Sequence, residues 1–391
     1  MATGVADWCS VSAVVQQQRA SLPDIPTPVR SALVVGLIYL FLVGVSSLEA
    51  GIKIMGEDTQ ERIFSAASNP IAALCIGVLG TILVQSSSAS TSVIVGLVAS
   101  GALGVDDAVP MVMGANIGTT VTNTLVSLGH IRQSNEFRRA FAAATVHDFF
   151  NVLAVIVLLP IELAFGLISR TAEAISEQLV GAAGTEWKSP VKAWVKEPVG
   201  WLQSLWDTVG TSGNLQGVLM VLSGLAIILG ALTLITKNMR ALVADRVERS
   251  VNAMLSRGGG TIALLLGLVI TIAVQSSSIT TSILIPLAGA GVISLRNAYP
   301  VTLGANVGTT ITALLASLAA SSPESLTVAL AHTTFNVFGI LSLYVVPLAR
   351  NVPVMAAERL ADIAVERRTL AVVYVAVVFV VLPLLGVAAL G

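Results

Sequence analysis

Gln85-Ser86-Ser87-Ser88 and Gly114-Ala115-Asn116-Ile117-Gly118-Thr119-Thr120 return later in the chain as Gln275-Ser276-Ser277-Ser278 and Gly304-Ala305-Asn306-Val307-Gly308-Thr309-Thr310. Both motifs recur at the same offset, so the duplication covers the whole stretch between them. Aligning 71–128 on 261–318 gives about 26 identities in 58 positions, strong self-similarity at a domain-scale period. Each serine motif interrupts an apolar segment. A polar, Gly-rich break present in two copies points to a binding site where two repeats meet, as in secondary transporters.

The surroundings of the motifs are those of a membrane protein. The 391 residues are 55% hydrophobic and 11% charged, with mean hydropathy +0.87; ordinary soluble domains carry about 25% charge. Several apolar runs reach the roughly 20 residues of a span. The net charge of −1 says nothing about partners, and the lack of a basic patch argues against nucleic acid. Cys9 and Cys75 lie far apart and suggest neither a disulfide framework nor a metal site. There is no CxxC, HExxH, P-loop or Rossmann fingerprint. The N-terminus lacks a charged region leading directly into an apolar one, so no cleaved signal is read there.

The expected fold is an all-α polytopic membrane protein with two inverted-topology repeats, each holding a re-entrant hairpin and a broken transmembrane helix. An N-terminal segment, 1–30, carries Pro23, Pro26 and Pro28. Repeat 1 covers 31–180, with a first span at 31–50, a polar stretch at 51–69, a hairpin at 70–104 and a broken helix at 109–128. Its last span, 139–160, ends near Pro160 and has a helical extension to 180. Residues 181–214 form a polar connection in which Trp187, Trp194 and Trp201 fall seven apart, with Trp206 close by. Tryptophan favours the membrane interface, so this reads as an interfacial anchor. Repeat 2 covers 215–350: a span at 216–236, a basic amphipathic stretch with Lys237, Arg240, Arg246, Arg249 and Arg257, a hairpin at 261–293, a broken helix at 298–318 and a span at 325–349. A C-terminal span lies within 351–391. The loops at 129–140 and 237–257 are basic and hence cytoplasmic by the positive-inside rule, which leaves 181–214 outside. Counting from these anchors, the two hairpins enter from opposite sides.

Hydroxyls, amides and freed backbone groups at a helix break give neutral donors and acceptors. N–H groups at the start of a half-helix attract anions; freed carbonyls with Ser, Thr and Asn oxygens suit Na⁺. No Arg or Lys lies within 85–92 or 275–282, so the expected site is built of dipoles. Ser and Gly also serve as packing residues between membrane helices, but two copies at identical spacing favour a ligand site. A further echo pairs His147, Asp148 and Asn151 with His332, Thr333 and Asn336. The repeated His and Asn are expected to orient the broken helices. Asp148 has no acidic counterpart, and an intramembrane acid is a functional candidate; the alternative is scaffolding by a pair with Arg138, Arg139 or His147. Glu49, at a span end, reads as an interfacial residue.

Taken together, the two QSSS motifs, Gly114 to Thr119 with Thr122-Asn123-Thr124, Glu136-Phe137-Arg138-Arg139-Ala140-Phe141, Ala144 to Asn151 and His332 to Gly339 resemble the type II sodium-dependent phosphate cotransporter family. The resemblance runs from about 31 to 390. It implies Na⁺-coupled uptake of inorganic phosphate by alternating access, in a multi-pass protein of the cell (plasma or inner) membrane. It implies no resident cofactor and no metal beyond Na⁺ as the co-transported ion; the partners are phosphate, Na⁺ and the lipid bilayer. By resemblance, Gln85, Ser86, Ser87, Ser88, Gln275, Ser276, Ser277 and Ser278 bind phosphate. Ser90, Thr91, Asn116, Thr119, Thr120, Thr280, Thr281, Asn306, Thr309 and Thr310 bind sodium or line the site. His147, Asp148, Asn151, His332 and Asn336 support them or couple the ions. The short connection without cysteine or sequon, and a chain that stops after 370–390, suggest a compact prokaryotic member. Other readings are a cation-coupled transporter of another oxyanion or a carboxylate, a channel, and an intramembrane serine hydrolase, the last lacking a GxSxG-type elbow.

Overall fold

The computed structural model describes residues 25–180, 191–257, 259–320 and 322–391, and every regular element among them is helical. The first half holds α1 (Thr27–Met55), α2 (Glu57–Ala67), α3 (Pro70–Val84), α4 (Ser87–Ser100), α5 (Val105–Thr119), α6 (Val121–Leu128), α7 (Ser134–Phe165) and α8 (Leu167–Val180). The second holds α9 (Lys192–Thr208), α10 (Gly213–Arg257), α11 (Gly260–Val274), α12 (Ser277–Ser282), α13 (Leu284–Gly289), α14 (Leu295–Ala319) and α15 (Pro323–Gly339), which runs into a π-helical turn, Ile340–Val345. The chain closes with α16 (Pro347–Arg350), α17 (Val352–Glu366), α18 (Arg368–Ala376), a second π turn, Val377–Val381, and α19 (Leu382–Leu390). Six helical stretches are long and apolar enough to cross a membrane. The protein is therefore a multi-pass membrane protein.

The serine motifs stop one helix and start another. Gln85 and Gln275 are the two non-glycine residues at positive φ among the described residues, at 55° and 57°. Each ends its helix in the left-handed conformation that usually requires glycine. Ser86 and Ser276 then act as N-caps, accepting from the N–H of Ala89 (3.2 Å) and of Ile279 (3.4 Å). Neither α3 nor α4 reaches span length alone, and α11 and the Ser277–Gly289 segment match them in the second half.

Glycines set the direction in which neighbouring helices pack. A Cβ on Gly77 would lie 1.9 Å from the carbonyl oxygen of Met111, one on Gly114 equally close to that of Leu74, and one on Gly118 2.8 Å from that of Val78. The contacts climb together, so α3 and α5 run parallel and α4 runs back between them. The second half repeats this: Gly267 meets Val301, Gly304 meets Leu264 and Gly308 meets Leu268. Contacts between α1 and α10 run the other way, Gly44 against Gly224 and Gly51 against Gly217. The first helices of the two halves are thus antiparallel.

Some expectations change. The broken helix expected at 298–318 is continuous from Leu295 to Ala319. Its glycines allow close approach of backbones and do not interrupt the hydrogen-bond ladder, and Pro300 falls near the helix start. In the first half the break is the single residue Thr120, still near helical geometry at φ −81° and ψ −17°. The span expected at 139–160 lies in a helix that runs to Phe165, and beyond Gly166 at φ 61° the expected helical extension follows as α8. The basic stretch after 236 is not a separate element. No glycine or proline separates it from the span, and α10 runs unbroken for 45 residues. In the first half Gly56 ends α1 at φ 80°, and α2 meets α3 at a bend of 100°. Within α9, Trp194 and Trp201 are exposed, and the Tyr39 hydroxyl donates to the Trp194 carbonyl at 2.8 Å. Trp187, the third member of that expected stripe, lies outside the described residues. Glu49 is buried against protein near the end of α1, 2.6 Å from Lys53.

Candidate functional site

Both serine motifs open onto one cavity of about 530 Å³, lined by 85–88 from the first half and 275–278 from the second. Within each motif the residues divide the work. The glutamines are held in place by their own helices. Gln85 Nε2 donates to the Ile82 carbonyl (2.6 Å), and Gln275 Nε2 to that of Ile272 (2.7 Å). Their Oε1 atoms accept from Thr122 Oγ1 (3.2 Å) and Thr312 Oγ1 (3.1 Å). Each glutamine thus locks its left-handed turn to a neighbouring helix. The oxygens of Ser86 and Ser276 are occupied by capping.

That leaves Ser87, Ser88, Ser277 and Ser278. Their hydroxyls line the cavity, and among the described residues none is engaged in a hydrogen bond. They sit in the first turns of α4 and α12, where backbone N–H groups lack intrahelical acceptors. The two helix starts thus turn their positive dipole ends to shared space, an arrangement suited to an anion.

Behind the cavity lies a cross-repeat clamp. Asn116 on α5 donates from Nδ2 to Asn336 Oδ1 (2.9 Å), and its Oδ1 lies 3.1 Å from His332 Nε2. Asn306 on α14 donates to Asn151 Oδ1 (2.7 Å), and its Oδ1 lies 2.6 Å from His147 Nε2. An amide oxygen only accepts, so both histidines donate from Nε2. Each half's asparagine is therefore gripped by the other half's His and Asn. The clamp is fully buried, and burial makes each missing partner cost about 1–3 kcal/mol. Asn151 Nδ2 also reaches the Asn116 carbonyl at 2.7 Å, joining the two grips.

The expected sodium or lining residues are not all at the cavity. Asn116 and Asn306 belong to the clamp. Thr119, Thr120, Thr309 and Thr310 donate to carbonyls of their own helices, those of Ala115, Ile117, Ala305 and Val307. Thr91 and Thr281 likewise bond the carbonyls of Ser87 and Ser277, and Thr281 also accepts from Asn123 Nδ2 at 2.7 Å. Thr280 bonds Thr271 at 2.9 Å. Their counterparts, Ser90 and Thr81, are both buried with unpartnered hydroxyls.

Asp148 is fully buried and has neither of the expected partners. Arg138 pairs with Asp362, Arg139 donates to the Gly289 carbonyl (2.8 Å), and His147 is in the clamp. Asp148 Oδ2 instead accepts from Thr124 (2.9 Å) and Tyr374 (3.2 Å), and its Oδ1 has no partner. The Thr124 contact is local, but Tyr374 comes from the last span and no sequence spacing announces it.

The cavity has a third wall that neither repeated motif announces: Thr233, Thr236, Lys237 and Arg240 of α10. Their spacing of i, i+3, i+4 and i+7 on one helix face was the available signal. Thr122 and Thr312 were also legible, as identities within the duplication.

Comparison with known proteins matches residues 40–183 and 218–384 to the sequence profile described as Na+/Pi-cotransporter. The chain is 34% identical over 421 residues to Sodium-dependent phosphate transport protein 2A of Rattus norvegicus, covering 90% of this chain and 66% of that protein. It is 33% identical over 447 residues to Sodium-dependent phosphate transport protein 2B of Homo sapiens, covering 91% and 64%. The chain thus spans just under two thirds of these relatives. No solved structure matches it.

Proposed function

The chain belongs to the Na+/Pi-cotransporter family, and on that premise we propose that it is a sodium-coupled symporter importing inorganic phosphate by alternating access. The observation that carries the proposal is the convergence of both serine motifs on one cavity, with four unengaged hydroxyls at two helix starts. These are donors for an oxyanion, which Ser87, Ser88, Ser277 and Ser278 contact directly. Gln85, Ser86, Gln275 and Ser276 shape the two turns. Sodium takes the oxygen-rich ground beside them, where the hydroxyls of Thr81 and Ser90 lack partners. Asp148, with one free carboxylate oxygen, favours sodium electrostatically and repels phosphate until sodium is bound. The inverted relation of the repeats is part of the proposal. It is supported by the antiparallel glycine contacts of α1 and α10 and by the reciprocal asparagine clamp. The serine hydrolase reading has no support, since neither His147 nor His332 hydrogen-bonds a serine.

The test is radiolabelled phosphate uptake into proteoliposomes with and without a Na⁺ gradient. Uptake is expected to collapse when choline replaces Na⁺, and arsenate to compete better than sulfate. Gln85→Ala and Gln275→Ala should each weaken uptake roughly ten- to hundredfold, the effect of losing a hydrogen-bond partner within the protein. Normal kinetics in either variant would remove that half from the site.

A further inference from the structure

The cavity is not lined by dipoles alone. Lys237 and Arg240 stand on its α10 wall, facing the space bounded by both serine motifs. Arg240 is half-buried, its Nε is buried without a partner, and among the described residues neither cation makes a hydrogen bond or ion pair. Met239 and Val243, on either side of Arg240, pack with Ile270, Val274 and Ile279. The backbone carrying Arg240 is thereby fixed against the helices that bear the second motif. A guanidinium whose Nε is desolvated without a partner carries a cost, and the cavity lining contains no acid to offset it.

Arg240 and the unengaged serine hydroxyls share one space. Resting on the proposed function, we infer that Arg240, assisted by Lys237, is a phosphate-binding residue of this transporter, the cationic part of the cavity that the serine motifs line. The guanidinium offers a planar fork that matches two oxygens of a phosphate. Lys237, the more exposed, is a point charge that draws the anion toward the opening. The dipoles of the two helix starts act on the same ligand. The site therefore differs between its walls: neutral and duplicated on one side, charged and single-copy on the other. A lipid phosphate carries the same chemistry and reaches cations near a membrane surface; the shared cavity with both motifs favours free phosphate.

The experiment is equilibrium binding of radiolabelled inorganic phosphate, at saturating Na⁺, to the full chain in nanodiscs of neutral phosphatidylcholine. Arg240→Gln is expected to weaken binding about tenfold, the lower end for losing a charge-assisted hydrogen bond. Arg240→Lys keeps the charge and loses the fork, and should weaken it by only about threefold; it also serves if the glutamine variant fails to fold. Binding within twofold of wild type for both variants would overturn the inference. So would a loss that appears only when phosphatidylglycerol is added to the discs, because that assigns Arg240 to a headgroup. Wild-type discs that bind no phosphate at any Na⁺ concentration would refute the proposed substrate and this inference with it. Wild-type binding with indifferent Arg240 variants refutes the inference alone.

Discussion

The two halves of the molecule agree in their frame and differ in their filling. The glycine contacts of α3 with α5 and of α11 with α14 match residue for residue. So do the left-handed glutamines and the threonines that hold them. The polar groups around this frame do not match. Asp148 stands where the other half has Thr333. Thr81 and Ser90 are unpartnered where Thr271 and Thr280 bond each other. Asn151 reaches both asparagines of the clamp, whereas Asn336 donates only to the His332 carbonyl of its own helix. Asn123 bonds across to Thr281, and Ala313 holds its place in the second half. Gly56 ends α1, while α10 runs on to Arg257, and among the described residues α10 alone carries cations, Lys237 and Arg240, at the cavity. Backbone packing tolerates few solutions, so duplication preserves it. On the proposed function the ligands carry opposite charge and need different surroundings, which the unmatched polar groups of the two halves supply.

The largest expected effect tests the shared frame. Gly114→Ala and Gly304→Ala each drive a Cβ to 1.9 Å from a carbonyl oxygen. Each should lower stability by about 3 kcal/mol, the upper range for overpacking, read as the thermal unfolding midpoint in detergent. Gly80→Ala, with nothing within 4 Å, should be neutral. A tolerated change at one glycine and not at its twin would break the symmetry of the frame.

The clamp comes next. Asn116→Ala and Asn306→Ala should each cost about 2 kcal/mol by stranding buried partners. Because Asn151 touches both, the double variant should depart from additivity by more than about 0.5 kcal/mol. Strict additivity would show two independent grips.

Asp148→Asn sharpens the asymmetry. It keeps shape and hydrogen bonding and removes charge. Apparent Na⁺ affinity should fall by about five- to tenfold, the lower end of a typical coupling energy, or the Na⁺ Hill slope should change. Unaltered Na⁺ dependence with lost thermal stability, matched by Tyr374→Phe, would make Asp148 scaffolding.

The smallest effect belongs to the surface pair of Arg138 and Asp362, which ties α7 to α17. The Arg138 guanidinium holds the Asp362 carboxyl below its ordinary range. A depressed carboxylate contributes stability above its unfolded value, and that contribution disappears as pH falls through the folded one. Asp362→Asn should therefore cost no more than about 0.5 kcal/mol at neutral pH, because the pair is exposed, and nothing in strong acid. A larger loss would mean the pair anchors α17.

Much of this was legible in the chain. The helix breaks at Ser86 and Ser276 read as such because a polar run there separates two apolar segments. His147 and His332 stood out because histidine is rare here and each is followed by an Asn four residues on. The glycines of 298–318 misled, since a glycine that permits close packing and one that breaks a helix look alike in sequence. Asp148 was visible as an acid, but its partner Tyr374 lies 226 residues away.

The sequence by itself determined the membrane class, the duplication and the two helix breaks at the serine motifs. Those follow from local hydropathy and from chemistry repeated at a fixed offset. Tertiary structure decided which hydroxyls remain free, which asparagine meets which histidine, and that Arg240 shares a cavity with both motifs. These depend on how distant helices cross. A crossing is set by the sum of many weak packing contacts, and no single residue spacing records it.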